Sequence, residues 1–140
     1  MNAGGEGALA QTELFKVLGD HRGQLVALQG MDNVPFEIKR VYYLTETLPE
    51  VSRGFHAHKQ LNQLAISVSG RCRMVMDDGT NRTDVWLDGY NKGILIPPMV
   101  WHEMHDFSPD CVLMVLADAH YDEADYIRDY TSFSELKRNG

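Results

Sequence analysis

The stretch Arg53-Gly54-Phe55-His56-Ala57-His58-Lys59 decides how this chain is read. On a strand, residues two apart point to one face, so His56 and His58 share a surface and Ala57 faces the other way. Two imidazoles on one inward face are costly to bury unless they bond a metal, a carboxylate or a substrate. A lone histidine is more often structural or solvated. A His-x-His pair flanked by Arg53 and Lys59 reads instead as a site. Farther along, Ile96-Pro97-Pro98-Met99-Val100-Trp101-His102 sets a stiff proline turn before a strand that opens on an aromatic residue and a histidine.

Short strands with turn punctuation surround both motifs, the pattern of an all-β sandwich or barrel. Residues 24–28, 38–44, 64–69, 71–77, 83–87, 93–96, 101–107 and 111–117 read as strands, in a total of roughly eight to ten. Cys72, Met74 and Met76 alternate with Arg71, Arg73 and Val75, which suits a strand with one face inward. Asp77-Asp78-Gly79-Thr80 is a hairpin signal, because Asp-Gly tolerates the positive φ of a tight turn. Residues 10–18 fit either a helical turn or two or an edge strand. Residues 122–136 are polar, with Tyr126, Ile127, Tyr130 and Phe133 among them, and read as an irregular or partly helical tail across the barrel.

The 140 residues fit one domain, expected over 13–136 behind a Gly- and Ala-rich flexible leader at 1–12. The leader lacks the basic start and apolar core of a signal peptide. No apolar run approaches the ~20 residues of a membrane helix. A net charge of -7, from 13 basic and 20 acidic side chains, argues against sequence-independent nucleic-acid binding. Cys72 and Cys111 each lie in an apolar run at a spacing that fits no zinc motif, so both are expected as buried free thiols and the cytoplasm as the compartment.

The pairing of an early His-x-His with a late Pro-x-x-x-x-His resembles the two motifs of the cupin superfamily, in which both project into one cavity. The resemblance implies a single-domain cupin, or jelly-roll, β-barrel. Metal-binding cupins follow His-x-His with a glutamate four or five residues on, where this chain has Asn62 and Gln63. A neutral amide is a much weaker metal ligand than a carboxylate, so the usual donor set is incomplete, and neither metal nor cofactor is expected.

Five ordered segments narrow the resemblance: Asp20-His21-Arg22-Gly23, residues 34–43, residues 53–59, Pro97-Pro98-Met99-Val100-Trp101-His102, and Asp125-Tyr126-Ile127-Arg128-Asp129-Tyr130. With these the chain resembles the nucleotide-sugar 3,4-ketoisomerases. That likeness implies a cytoplasmic homodimer acting on dTDP-4-keto-6-deoxyglucose, a dTDP-linked 4-keto-6-deoxysugar, with no nucleic-acid or membrane partner. The keto group moves from carbon 4 to carbon 3, on the way to 3-amino-3,6-dideoxysugars.

Such a reaction needs a base at carbon 3, donors to the enediolate oxygens and an acid at carbon 4. Imidazole suits the proton transfers. His56 is taken as the base and His58 as its shuttle or orienting partner. Tyr42 and Tyr43 alternate, so one of the two faces the cavity; Tyr43 is carried as catalytic and Tyr42 as substrate-binding. Arg40 and Arg53 are candidates for enediolate or phosphate contacts. Lys59, Gln63, Trp101 and His102 complete the substrate-binding set, although core packing is the ordinary role of a strand tryptophan. Three rival readings stand beside this one. They are a metal-dependent cupin using His56, His58 and His102, a non-catalytic nucleotide-sugar-binding cupin, and an epimerase-type cupin.

Overall fold

The computed structural model describes residues 9–140. Two five-stranded antiparallel sheets carry the fold. The first runs in the order β1 (Thr12–Leu14), β9 (Lys92–Ile96), β6 (Gln63–Ser69), β11 (Val112–Ala117), β4 (Arg40–Leu44). The second runs β12 (Tyr126–Ile127), β5 (Arg53–His58), β10 (Trp101–His105), β7 (Cys72–Asp77), β8 (Arg82–Leu87). A small hairpin of β2 (Leu18–Asp20) and β3 (Gly23–Leu25) belongs to neither. The tail holds a short 3-10 turn, Glu123–Asp125, and helix α1 (Tyr130–Asn139). This all-β, cupin-like sandwich is the architecture the turn spacing predicts.

Alternation places the core between the sheets. Ala65, Met74, Met76, Leu87, Ile94, Leu113 and Val115 are buried there in one cluster. Cys72, Met74 and Met76 face inward as expected, and Arg73 on the opposite face pairs with Asp84 and Asp106. Asp77 and Arg82 close the β7–β8 ladder, and Gly79 sits at φ +94 in the loop between them. Asp78 Oδ1 accepts the N–H groups of Thr80 and Asn81 there, an Asx-type turn.

A second cluster covers the outer face of the first sheet. Leu64, Ile66 and Leu116 pack under Phe15, Val34 and Phe36, with Val26, Leu28 and Ile38 at the margin. The expected strand at 24–28 is therefore shorter than its apolar run. Only Gly23–Leu25 pairs, while Val26 and Leu28 serve as a cover over the sheet. Strand 38–44 likewise starts at Arg40, with Ile38 in the same cover.

Residues 1–8 of the leader lie outside the described residues. Leu9 and Ala10 are buried in the main core, and Thr12 opens β1 against β9, so packing begins ahead of residue 13. Of the two forms open for residues 10–18, the edge strand is the one present. The tail crosses the outer face of the second sheet, where Ile127 and Phe133 pack on Ala57 and Trp101. Asp129 caps α1 by accepting the Ser132 N–H. Tyr130 donates to Asp77, a buried carboxylate that also holds Arg82 and the Gly79 N–H.

Candidate active site

A bulge in β5 aims the histidines. Gly54 (φ +92) and Phe55 (φ +58) both take left-handed conformations, and the register of β10 slips from His102↔His56 to Glu103↔Gly54, skipping Phe55. One extra residue on a strand resets its alternation. Phe55 is thereby turned outward, and His56 and His58 face the interior with Ala57 behind them. A Cβ on Gly54 would lie 3.1 Å from the His102 carbonyl oxygen, so the position calls for glycine on both counts. Met99 (φ +61) sits in the turn before His102 and donates its N–H to the His58 carbonyl at 2.7 Å. Strain of this kind persists where surrounding contacts over-determine it, and here it brackets the histidines.

His56, His58 and His102 form one group. Ring centroids lie 4.5 Å apart for His56–His102, 5.1 Å for His56–His58 and 6.1 Å for His58–His102. Each Nδ1 has a partner: the Gly54 carbonyl for His56 (3.0 Å), Asp125 for His58 (3.2 Å) and the Val100 carbonyl for His102 (3.3 Å). The first sheet supplies the facing wall. Arg40, Ala117 and Gln63 lie in one cross-strand row, and Tyr42, Val115 and Ala65 in the next row on the same side. Gln63 Nε2 donates to the Tyr42 hydroxyl at 2.7 Å. Beside His58 opens a cavity of about 250 Å³, bounded by Arg40, Asp118, Asp125 and Tyr126.

Burial sets the charge state. It pulls His56 down to about 4, helped by the neighbouring His58, and His102 down to about 3, helped by His56. His58 is also lowered by burial, against the opposing pull of Asp125. Burial lifts Tyr42 to about 12, with Tyr126 adding to the effect. The three rings are thus neutral at pH 7 and Tyr42 keeps its proton, with its oxygen already accepting from Gln63. Three buried polar side-chain atoms among the described residues lack any hydrogen-bond partner: Arg40 Nε, His58 Nε2 and Gln63 Oε1. All three belong to this wall or to the histidine group. An unpaired buried polar atom costs about 1–3 kcal/mol, so their clustering marks a place for a polar ligand.

The same histidines could serve a metal. One nitrogen from each histidine lies within 4.8 Å of the others, which three imidazoles could offer an ion. The carboxylate arm is absent: Asn62 is committed to Asp118 and Gln63 to Tyr42. The four-ligand cupin set is therefore incomplete.

Residues 9–138 match the family model described as FdtA: WxcM-like, C-terminal. The chain belongs to this family. A curated TDP-4-oxo-6-deoxy-alpha-D-glucose-3,4-oxoisomerase from Aneurinibacillus thermoaerophilus is 52% identical over 121 residues, covering 86% of this chain and 87% of that protein. A crystal structure of a 3,4-ketoisomerase from Helicobacter canadensis superposes with a TM-score of 0.90 at 41% identity, covering 92% of this chain and 97% of the other. A mutant 3,4-ketoisomerase from Thermoanaerobacterium thermosaccharolyticum, crystallised with TDP-4-keto-6-deoxyglucose, gives a TM-score of 0.91 at 36% identity, covering 94% and 96%.

In this FdtA-family chain the structure brings together His56, His58, His102, Arg40, Tyr42 and Gln63. It does not bring in Tyr43, which is 66% exposed on the outer face of β4 because strand alternation points it away from Tyr42. Trp101 is also displaced from the expected site. It lies under α1 against Tyr130 and Phe133, with its Nε1 donating to Glu103. Arg53 and Lys59 are exposed and line no part of the cavity.

Asp125 and Tyr126 were missed as site residues in the sequence, where both fall in the irregular or partly helical tail across the barrel. The Tyr126 ring sits 4.3 Å from His58 and 5.0 Å from His56, with Arg128 stacked on it at 4.1 Å. One signal existed. A buried His-x-His needs partners, and the tail segment of the resemblance offers two acidic residues beside an aromatic, Asp125-Tyr126 and Asp129-Tyr130.

The lowered histidines predict a pH profile. The acid limb of kcat/KM is expected well below 6.5, the ordinary imidazole value, because the free enzyme's rings protonate only in stronger acid. Stability should follow. Below about 6.5 the unfolded chain takes up protons that folded His56 and His102 refuse until about 4 and 3. Stability is therefore complete above 6.5 and declines as pH falls through that window. Melting temperatures and kcat/KM measured from pH 8 to 4 check both.

Proposed function

We propose that this chain is a TDP-sugar 3,4-ketoisomerase, moving the keto group of dTDP-4-keto-6-deoxyglucose from carbon 4 to carbon 3 through an enediolate. The product is the kind of ketone from which 3-amino-3,6-dideoxysugars are made. The observation that carries this reading is the set of unpaired buried atoms, Arg40 Nε, His58 Nε2 and Gln63 Oε1, gathered round neutral imidazoles in a family of ketoisomerases.

His56 removes the proton from carbon 3. The electron pair of that C–H bond forms the C3=C4 double bond, and the carbon 4 carbonyl oxygen becomes the enediolate oxygen. Arg40 and the Tyr42 hydroxyl are the donors that stabilise it, Tyr42 being held by Gln63. The carbon 3 hydroxyl proton then passes to the carbon 4 oxygen, which becomes the product's hydroxyl, and as the carbon 3 carbonyl forms the C3=C4 electron pair takes up a proton at carbon 4. His58 and His56, with ring centroids 5.1 Å apart, handle these C–H protons and exchange them with solvent between the two steps, so the proton delivered to carbon 4 comes from water.

The cavity of about 250 Å³ beside Arg40 and His58 lies below the ~300–1,000 Å³ of typical ligand sites, room for part of a nucleotide sugar and not for the whole. The homodimer belongs to this proposal. Leu14, Leu18 and Leu25 are 78%, 46% and 56% exposed on β1 and the free-standing β2–β3 hairpin, an apolar edge that a second copy would cover. Sedimentation is expected to give a dimer, and a fully active monomer would remove this part. The two free thiols, Cys72 and Cys111, fit a reducing cytoplasm.

The deciding experiment incubates the protein with dTDP-4-keto-6-deoxyglucose in deuterated water and follows it by NMR. A 3-keto product with deuterium at carbon 4 is expected; binding without exchange would leave a sugar-binding cupin. The three-imidazole group favours one second reading, a metal-dependent enzyme. Chelator-treated protein is expected to keep its rate. Loss that a divalent cation restores would transfer the chemistry to a metal.

A further inference from the structure

We propose that Asp125 is the positioning residue for His58, fixing the ring in the tautomer that turns a free Nε2 lone pair to the cavity and supporting the positive charge the ring carries in turnover. The inference rests on the isomerase reading above. Its starting point is a difference among the three histidines. His56 and His102 direct Nδ1 to backbone carbonyls, which are neutral, whereas His58 directs Nδ1 to a carboxylate at 3.2 Å.

Asp125 is itself held through both side chain and backbone. Asp125 Oδ1 accepts the Gln60 N–H at 2.8 Å, its backbone carbonyl accepts the Lys59 N–H at 2.9 Å, and its own N–H donates to the Asp122 carbonyl at 3.0 Å. The tail is thereby clamped to the two residues that follow His58. An ionised carboxylate only accepts, so Nδ1 must carry the proton and Nε2 is left bare. His58 is 2% exposed, and its Nε2 is one of the three buried atoms without a partner.

The charges facing the ring come from several elements. Arg40 on β4 and Arg128 in the tail disfavour its cation, as would a charged His56 on β5 or His102 on β10, and the Tyr126 ring of β12 packs against it. Asp125 opposes these cations. The arrangement is an Asp–His pair in which the aspartate acts through the imidazole.

Asp125→Asn tests it with little steric change. The amide oxygen can still accept from Gln60, while the amide N–H₂ meets His58 Nδ1 and forces the proton onto Nε2. The expected result is a kcat lower by about 10²-fold or more, with KM and the affinity for TDP near wild type; the corresponding change in a serine protease triad costs ~10⁴. The residual activity should keep an acid limb shifted to lower pH, and Asp125→Glu should recover part of the rate. Nitrogen-15 correlation spectra should show His58 protonated at Nδ1 in the wild type and at Nε2 in Asp125→Asn.

A wild-type His58 protonated at Nε2, or a folded Asp125→Asn with wild-type kcat, overturns the proposal. If the variant does not fold, the wild-type tautomer decides alone. If the wild type fails to isomerise the sugar, it is the isomerase reading that falls, and the tautomer still tests the pair.

Discussion

His56→Asn is expected to abolish ketone migration, lowering kcat by about 10²–10⁴-fold if acid–base catalysis gives its usual return. The chain should tolerate the change. His56 is partly exposed, and its one side-chain hydrogen bond is to the carbonyl of Gly54, two residues away on its own strand. Asparagine can donate to that carbonyl, and the bulge at Gly54–Phe55 does not depend on the ring. Melting temperature and TDP affinity are therefore expected to stay near wild type while exchange of the carbon 3 proton stops. Exchange and product formation at the wild-type rate would take His56 out of the base's role and leave it a wall residue.

Phe133→Ala is expected to cost about 3–5 kcal/mol, the range for emptying a fully buried phenylalanine site. Phe133 is 0% exposed and is the buried residue of α1, packed on Trp101 at 5.9 Å and Tyr130 at 5.7 Å between ring centroids. The loss falls first on the docking of α1, which is otherwise held by the Tyr130–Asp77 hydrogen bond and by Arg82 over the Tyr130 ring. With α1 undocked, Asp125 and Tyr126 are left to the Gln60 and Lys59 hydrogen bonds and the two-residue pairing with β5, and their hold on the histidines weakens. Activity should thus fall in a region more than 30 residues on from His102 in sequence, and early proteolytic cleavage should map to the segment around α1. Leu136→Ala, at an exposed position of the same helix, should stay within about 0.5 kcal/mol of wild type. Equal effects of the two substitutions would contradict this account of the tail.

The sequence makes the His-x-His face legible because strand periodicity needs no partner to be read. The same periodicity fixes only alternation and not phase. Tyr42 and Tyr43 had to face opposite ways, but which one faced inward was set by the pairing of β4 with β11, which no local pattern displays. Trp101 could have been placed by this rule, since a residue adjacent to an inward His102 on a strand must face outward. The shortened strand at 24–28 has another cause: an apolar run that covers a sheet looks, residue by residue, like one that joins it. Asp125 was illegible for a plainer reason. It meets His58 from 67 positions away, and the two-residue strand that brings Tyr126 there carries no period at all.

The long reach of that tail has a consequence for local opening. Asp125 meets His58 across 67 positions, and only a two-residue strand and one helix dock the segment on the second sheet. A barrel whose tail has swung away keeps its methionine core and its three histidines, yet lacks the carboxylate behind His58, so it occupies substrate without converting it. Native-state hydrogen exchange should therefore show the amides of 126–139 opening before those of β6, β7 and β11.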